Sequence, residues 1–168
     1  DLVANSMEGR ACVAGFDGPS ERFSLYVSSQ GVHGMKSQLA EDIFKLPEDR
    51  FHVMTTDVGG GFGMKIFMYP EYVAALYAAR KFGRPVKWAA ERSEGFISDD
   101  HGRDNLTKAQ LALDADGRFL AIKVDTIANM GAYLSNFAPF VATLCGCVML
   151  TGCYDIPAAY VNVKGVFT

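Results

Sequence analysis

Runs of apolar and β-favouring residues predict several short strands. Residues 23–30 (FSLYVSSQ) are rich in such side chains and end in polar residues before Gly31, which predicts a strand and then a turn. Residues 51–56 (FHVMTT) and 85–90 (PVKWAA) predict two further strands. Their lengths are those of strands in a small sheet.

Apolar residues at helical spacing predict two helices. The first pattern ends before Pro47, and its apolar positions are Val32, Met35, Leu39, Ile43 and Leu46. The second begins at Pro70, which suits a first helical turn, followed by Glu71, which complements the positive end of a helix. Gly83 stands where a C-terminal cap belongs, with Pro85 just beyond. The apolar face of this second helix consists of Tyr72, Leu76 and Ala79.

Two alternating runs joined by a turn predict a β-hairpin. The turn is DADG at residues 114–117, and the alternating positions are Ala109, Leu111 and Leu113 before it and Leu120, Ile122 and Val124 after it. Residues 160–168 predict a last strand, whereas the polar residues 91–105 predict a long ordered loop. The combination predicts an α+β fold with mixed sheets and packed helices rather than a regular doubly wound sheet.

Length and composition indicate a globular protein. The 168 residues are expected to form a single domain, or a fragment of one, that spans residues 1–168. Neither end has a polar tail, so we expect a piece of a larger protein. The 49% apolar and 21% charged residues are typical of a soluble domain, and a net charge of −3 gives no basic surface for nucleic acid.

An uncharged segment could be mistaken for a membrane span, and a group of cysteines for a metal site. Residues 126–154 carry no charge, but asparagines, a proline and several glycines interrupt them, so a buried irregular segment is expected rather than a membrane span. Cys145, Cys147 and Cys153 have the spacing C-x-C-x5-C with no histidine nearby, which disfavours a zinc or iron–sulfur site. We expect these three and Cys12 to be buried free thiols in a reducing compartment, which favours a cytoplasmic protein and leaves the periplasm open.

The loop DVGGGFGMK at residues 57–65 is the candidate ligand-binding segment. Its glycines can adopt positive φ and let the backbone approach a ligand, and successive N–H groups in such a loop can bind an anion or an oxo group. A tight structural turn without a ligand is the alternative. The spacing excludes a P-loop because Met64 precedes Lys65 and Ile66 follows it, and it excludes the dinucleotide fingerprint because Met64 occupies the last glycine position.

The loop resembles the DVGGGFGxK motif of molybdenum hydroxylase large subunits, the family of xanthine dehydrogenase, aldehyde oxidase and aerobic carbon monoxide dehydrogenase. Further family motifs occur along the chain in the expected order: MEGRA at 7–11, QG at 30–31, YPE at 69–71, GRPVKW at 83–88, HGR at 101–103, GAYLS at 131–135 and YDIP at 154–157. These motifs cover nearly the whole chain. The resemblance is strongest to bacterial carbon monoxide dehydrogenase-like subunits and to subunits that oxidise aldehydes or heterocycles.

The resemblance implies a molybdenum–molybdopterin cofactor, with the cytosine dinucleotide form among those expected. It implies that Gln30 hydrogen-bonds an oxygen ligand of molybdenum and that the Phe62 N–H lies nearest the metal. The implied cofactor-binding residues are Gln30, Gly31, Gly60, Gly61, Phe62 and Gly63. No direct protein ligand to the metal is implied, because the pterin dithiolene holds it and the protein supplies neutral hydrogen-bond donors.

Departures from the family pattern bear on substrate and catalysis. Ile66 stands where members that oxidise purines have an acidic residue, which favours a less polar substrate. Met64 replaces a glycine, and Gly9 replaces a proline, without removing a chemical group that we can identify. The family's GAYRG-like motif and catalytic glutamate are expected after Thr168. No residue of this chain is therefore assigned a catalytic role, and the 168 residues alone are expected to be inactive.

The parent reaction implied by the resemblance is oxidative hydroxylation of an aldehyde, an aromatic heterocycle or carbon monoxide, with oxygen derived from water. The implied partners are an FAD-binding medium subunit and a small subunit with 2Fe-2S centres, in an oligomer of such heterotrimers. Two alternatives remain open from the residues. One is a phosphate- or nucleotide-binding module that uses the glycine loop, and the other is a non-catalytic structural domain of the same ancestry.

Overall fold

The computed structural model describes residues 2–168, apart from the side chain of Ala138. The chain separates into two compact units: Val3–Asp100 is one, and Leu2 with His101–Thr168 is the other. That the 168 residues form one domain, or a fragment of one, stays a prediction.

The unit Val3–Asp100 is built on a four-stranded sheet. Its strands are β1 (Ala11–Asp17), β2 (Arg22–Val27), β3 (Phe51–Met54) and β4 (Val86–Ala89), in the spatial order β3-β2-β1-β4. β1 is antiparallel to β2 and β4, whereas β2 and β3 are parallel. The three strands predicted in this region are confirmed, and β1 is an additional strand.

The helix α2 (Pro70–Phe82) covers this sheet as predicted. Gly83 ends it in the left-handed region (φ 63°), and its N–H donates to the Ala79 carbonyl at 3.0 Å. The fully buried side chains Tyr72 and Leu76 pack in the same core as Phe23 and Leu25 of β2. Burial of this face is what stabilises a helix whose propensity alone would be marginal in water.

The first predicted helix differs from expectation in its second half. α1 (Val32–Ser37) is followed at once by a π-helix, Gln38–Phe44. The wider turn rotates the following side chains, so that Ala40 is fully buried and Ile43, predicted on the apolar face, is 38% exposed. Phe44 instead reaches the aromatic cluster, with its ring centroid 5.0 Å from that of Phe23.

The prediction of a loop over residues 91–105 is wrong. α3 (Arg92–Ser98) occupies its first half, and β5 begins at Asn105. A capping box starts α3, because the Glu91 side chain accepts the Glu94 backbone N–H while the Glu94 side chain accepts the Glu91 N–H at 3.2 Å. These local bonds stabilise a helix of seven residues, none of which is buried.

The second unit contains a three-stranded sheet in the order β5-β6-β7. β5 (Asn105–Leu113) and β6 (Phe119–Asn129) form the predicted hairpin, and β7 (Ala159–Val166) pairs parallel to β6. Two short helices, α4 (Ala138–Phe140) and α5 (Gly146–Val148), flank the π-helix Val141–Cys145. Two mixed sheets with helices confirm the α+β prediction.

The uncharged residues 126–154, predicted to be a buried irregular segment, contain the end of β6 and the helical run from Ala138 to Val148, and several of their apolar side chains are exposed. Tyr133, Val148 and Met149 are 91%, 77% and 71% exposed. Within residues 2–168, no helix is long and apolar enough to cross a membrane.

The burial prediction is correct for one cysteine and wrong for the cluster near the end of the chain. All four thiols are free, and Cys12 is buried, which raises its pKa to about 11. Cys145 and Cys153 are exposed and Cys147 is half-buried, and none of the three belongs to the hydrophobic core cluster.

Candidate cofactor-binding site

The glycine loop connects β3 to a single 3-10 turn, Met64–Ile66. Three of its residues have left-handed backbones: Gly60 (φ 97°), Phe62 (φ 53°) and Gly63 (φ 84°). The turn closes where the Met64 N–H donates to the Gly61 carbonyl at 3.0 Å. Backbones of this kind are typical of loops whose N–H groups bind an anion or an oxo group, and such binding stays a prediction for this loop.

Gln30 lies three residues beyond the end of β2 and packs directly against the loop. A Cβ at Gly61 would overlap the Gln30 carboxamide, so residue 61 must be glycine for this contact to form. The Gln30 N–H donates to the Lys65 carbonyl at 3.1 Å, which fixes the backbone of Gln30 beside the loop.

Two backbone amides orient the Gln30 side chain. Oε1 accepts hydrogen bonds from the Gly63 N–H at 3.0 Å and the Lys65 N–H at 3.1 Å. Since both partners are donors, the oxygen must face the loop, and the NH2 group is the remaining donor of an exposed side chain. The carboxamide is therefore held with its donor available to a ligand.

The remaining predicted residues contribute in different ways. Within residues 2–168, no hydrogen bond engages the backbone N–H of Gly60, Gly61 or Phe62, which leaves them as donors. Gly31 differs, because its N–H donates to Ser29 Oγ at 3.1 Å. A Cβ at Gly31 would lie 3.7 Å from Ile66 Cγ1, an ordinary contact distance, so nothing in the structure requires glycine there.

Phe62 combines backbone strain with an exposed ring. Its φ of 53° is unusual for a residue other than glycine, and its side chain is 78% exposed. The ring lies over the backbone of Gly60, where a Cβ would come within 2.8 Å of Phe62 Cε2. Strain without burial is typical of functional loops, whose conformation serves a ligand rather than the core.

Two residues that the sequence analysis did not single out as site residues anchor the loop. The Lys65 side chain is fully buried, and its Nζ lies 3.0 Å from Glu8 Oε2. Burial alone would raise the pKa of Glu8, but hydrogen bonds from Ser28, the Gly59 N–H and Lys65 outweigh it and lower that pKa. Glu8 is thus a structural carboxylate.

A buried arginine supports the same loop from behind. Arg10 Nε lies 2.5 Å from Asp99 Oδ1, Nη1 lies 3.1 Å from Glu71 Oε2, and the guanidinium stacks on Tyr69 at 3.6 Å from its centroid. Burial alone would lower the Arg10 pKa, but the hydrogen bonds that Arg10 donates to Glu71 and Asp99 raise it, so the cation persists. Tyr69 Oη in turn donates to the Met64 carbonyl at 2.9 Å.

The site thus combines two sets of groups. Gln30 and the loop backbone offer neutral hydrogen-bond donors, and the ion pairs of Lys65 and Arg10 hold the loop in place. Among the residues described, no group of three or more His, Cys, Asp or Glu side chains could hold a metal ion. Fold and site together define an α+β segment that presents a strained glycine loop and one oriented carboxamide.

Comparison with known sequences assigns this segment to a family. The family model described as the molybdopterin cofactor-binding domain matches residues 2–168. The chain is 36% identical over 164 residues to the carbon monoxide dehydrogenase large chain of Hydrogenophaga pseudoflava, covering 96% of this chain and 20% of that one. It is 33% identical over 171 residues to the nicotine 6-hydroxylase large subunit of Paenarthrobacter nicotinovorans, covering 99% of this chain and 21% of that one. The chain belongs to the molybdopterin cofactor-binding domain family.

Solved structures agree with this assignment. Quinoline 2-oxidoreductase from Pseudomonas putida 86 superimposes with a TM-score of 0.90 at 32% identity, covering 99% of this chain and 21% of that chain. Carbon monoxide dehydrogenase from Oligotropha carboxidovorans gives a TM-score of 0.87 at 32% identity, with the same coverage of 99% and 21%. The resemblance to molybdenum hydroxylase large subunits is confirmed, and the chain spans about a fifth of the length of these relatives.

Proposed function

We propose that this chain receives the molybdenum–molybdopterin cofactor of a molybdenum hydroxylase large subunit at Gln30, Gly31 and the loop Gly60, Gly61, Phe62 and Gly63. The observation that carries the proposal is the Gln30 carboxamide, whose oxygen accepts hydrogen bonds from two loop amides at 3.0 and 3.1 Å, so that its NH2 group is left as the donor.

The residues present fit such a group. A metal held by its own organic dithiolene needs neutral hydrogen-bond donors around its oxygen ligands, not protein ligands. The Gln30 NH2 and the N–H groups of Gly60, Gly61 and Phe62 are donors of that kind. A Cβ at Gly61 would fill the space that the Gln30 carboxamide now occupies, so the cradle depends on glycine there.

The chain's own residues bind and orient in this proposal. When bound, the molybdenum centre would supply the two-electron oxidation, with the oxygen atom coming from water. The Gln30 NH2 and the Phe62 N–H would hold the group by hydrogen bonds and so orient it at the loop. The exposed ring of Phe62 and the 38% exposed side chain of Ile66 add apolar surface next to the loop. This surface supports a substrate less polar than a purine.

The relatives support a proposal for the activity of the whole protein. Their printed names include a carbon monoxide dehydrogenase large chain, a nicotine 6-hydroxylase large subunit and the gamma subunit of a 6-hydroxypseudooxynicotine dehydrogenase complex. We propose that the chain is part of a cytoplasmic oxidoreductase that performs oxidative hydroxylation. Its catalytic glutamate would lie outside these 168 residues. FAD and 2Fe-2S centres would lie on partner subunits, and the resulting heterotrimers would assemble into an oligomer. The molybdopterin cofactor would be the cytosine dinucleotide form.

The nucleotide-binding alternative is disfavoured by the position of Lys65. In a P-loop the lysine must reach the nucleotide phosphates. Here the Lys65 side chain is fully buried, and its Nζ is bound by Glu8 at 3.0 Å and by Ser28 Oγ at 2.8 Å. The comparisons likewise favour neither this alternative nor a structural domain without a cofactor.

The variant Gln30→Ala tests the proposal. In the full protein that contains this chain, we expect it to lose most of its molybdenum, measured by plasma mass spectrometry, because the loop loses both its oriented donor and the acceptor for the Gly63 and Lys65 amides. Gln110→Ala, on the exposed strand β5, is the matched control and should retain molybdenum. Equal molybdenum content in the two variants would contradict the proposal.

A further inference from the structure

Lys65 links a half-buried ion pair to Gln30. Its Nζ is within 3.0 Å of Glu8 Oε2 and 2.8 Å of Ser28 Oγ, and its side chain has no exposed surface. The backbone of the same residue bonds Gln30 twice: its N–H donates to Oε1 at 3.1 Å, and its carbonyl accepts the Gln30 N–H at 3.1 Å. Whatever fixes Lys65 therefore also fixes both the backbone and the carboxamide of Gln30.

Glu8 connects the two ends of the glycine loop. Its Oε2 accepts hydrogen bonds from Ser28 Oγ at 2.7 Å, the Gly59 N–H at 2.8 Å and Lys65 Nζ at 3.0 Å. Its own N–H donates to the Gly59 carbonyl at 3.1 Å. A Cβ at Gly59 would lie 2.5 Å from the Glu8 Cβ, so this approach requires glycine at residue 59. One carboxylate oxygen thus anchors the loop at residues 59 and 65.

We propose that Lys65 and Glu8 are a positioning pair that holds the Gln30 carboxamide with its NH2 group facing the ligand. This inference rests on the proposed function, because it assigns the pair's role at that site. Lys65 acts through its backbone bonds to Gln30 rather than by touching a ligand, since its charged end is fully buried. Two residues of different motifs, 57 positions apart in the sequence, thereby act together on Gln30.

A merely stabilising ion pair would behave differently when it is broken. Loss of a general stabiliser destabilises the whole unit, and amides throughout its core become easier to exchange with solvent. Loss of a positioning pair frees the loop amides that bind Gln30 while the central strand β2 keeps its protection. Hydrogen exchange in the protein without cofactor therefore separates the two roles and needs no activity.

The experiment compares three variants of the full protein that contains this chain, prepared without cofactor. Lys65→Met removes the ammonium and keeps an apolar side chain of similar length. Ser28→Ala removes one hydrogen bond from each member of the pair and leaves both charges in place, so it is informative if Lys65→Met does not fold. Lys36→Met is the matched control, because it breaks a half-exposed pair, that of Lys36 with Glu48 at 3.7 Å, which includes no residue of the loop.

Exchange is measured by mass spectrometry on peptides covering residues 57–67 and 22–27, and molybdenum content is measured after expression with cofactor. We expect Lys65→Met to speed exchange of the loop peptide at least tenfold and Ser28→Ala to speed it severalfold, with the strand peptide unchanged and molybdenum reduced in both. Loop exchange that stays at the Lys36→Met rate, or that rises only together with the strand peptide, would overturn the positioning role. Retained molybdenum in Gln30→Ala would instead contradict the proposed function and leave the exchange result standing.

Discussion

Phe62 shows what single residues contribute beyond a motif. The motif predicts a glycine loop, but it does not predict the left-handed backbone of Phe62, at φ 53° with a 78% exposed ring. Such a backbone costs roughly 1–2 kcal/mol. Gly59 and Gly63 on the same loop donate hydrogen bonds to Glu8 and Gln30, and these are long-range contacts that no local pattern displays.

Glu8 gives a prediction about pH at the same scale. Its pKa is lowered from the ordinary value of 4.5 in the folded chain, so ionised Glu8 stabilises the fold above that pH, and the contribution is lost as pH falls through the lowered value. In Glu8→Gln the contribution is missing throughout. Chemical denaturation at several pH values should therefore show a stability deficit of the variant that is constant above pH 4.5 and shrinks below it. A deficit that does not change with pH would contradict this role for Glu8.

Elements differ in how well the sequence predicts them. α2 is predictable because its caps and its buried face both follow local rules, and Tyr72, Leu76 and Ala79 are fully buried as expected. α3 is not, because its seven residues bury none of their side chains and therefore show no apolar period. The only local signal is Glu91 with Glu94 three positions later. The π-helix after α1 was also missed, because its register depends on how Phe44 packs against β2 and β3.

The C-terminal cap of α2 provides a test at this scale. Gly83→Ala places a Cβ on a backbone with φ 63°, and we expect it to lower the free energy of unfolding by about 1 kcal/mol. Gly34→Ala is the matched control, because Gly34 lies within α1 and a Cβ there would meet nothing within 4 Å. That control should raise stability by about 0.5–1 kcal/mol. Chemical denaturation measures both, and equal effects of the two substitutions would argue against the left-handed cap.

At the scale of the whole molecule, the sequence predicts only part of the candidate site. The resemblance of the ordered motifs indicated Gln30 and the glycine loop, and the structure brings them together at hydrogen-bond distance. The pairing of Glu8 with Lys65 was not predicted, because their positions are 57 residues apart and only the fold brings them together. In the second unit, Tyr133 and Val148 remain 91% and 77% exposed. Under the proposed function, such side chains face other parts of a larger subunit.

Metal and pterin analysis of the purified full protein tests the central claim most directly. The proposed function predicts one molybdenum and one pterin for each large subunit, because this chain forms one glycine loop with one oriented carboxamide. Plasma mass spectrometry gives the metal content, and fluorescence of the oxidised pterin gives the cofactor content. Protein that contains neither, when it is produced in a host that makes the cofactor and loads a related enzyme, would contradict the claim.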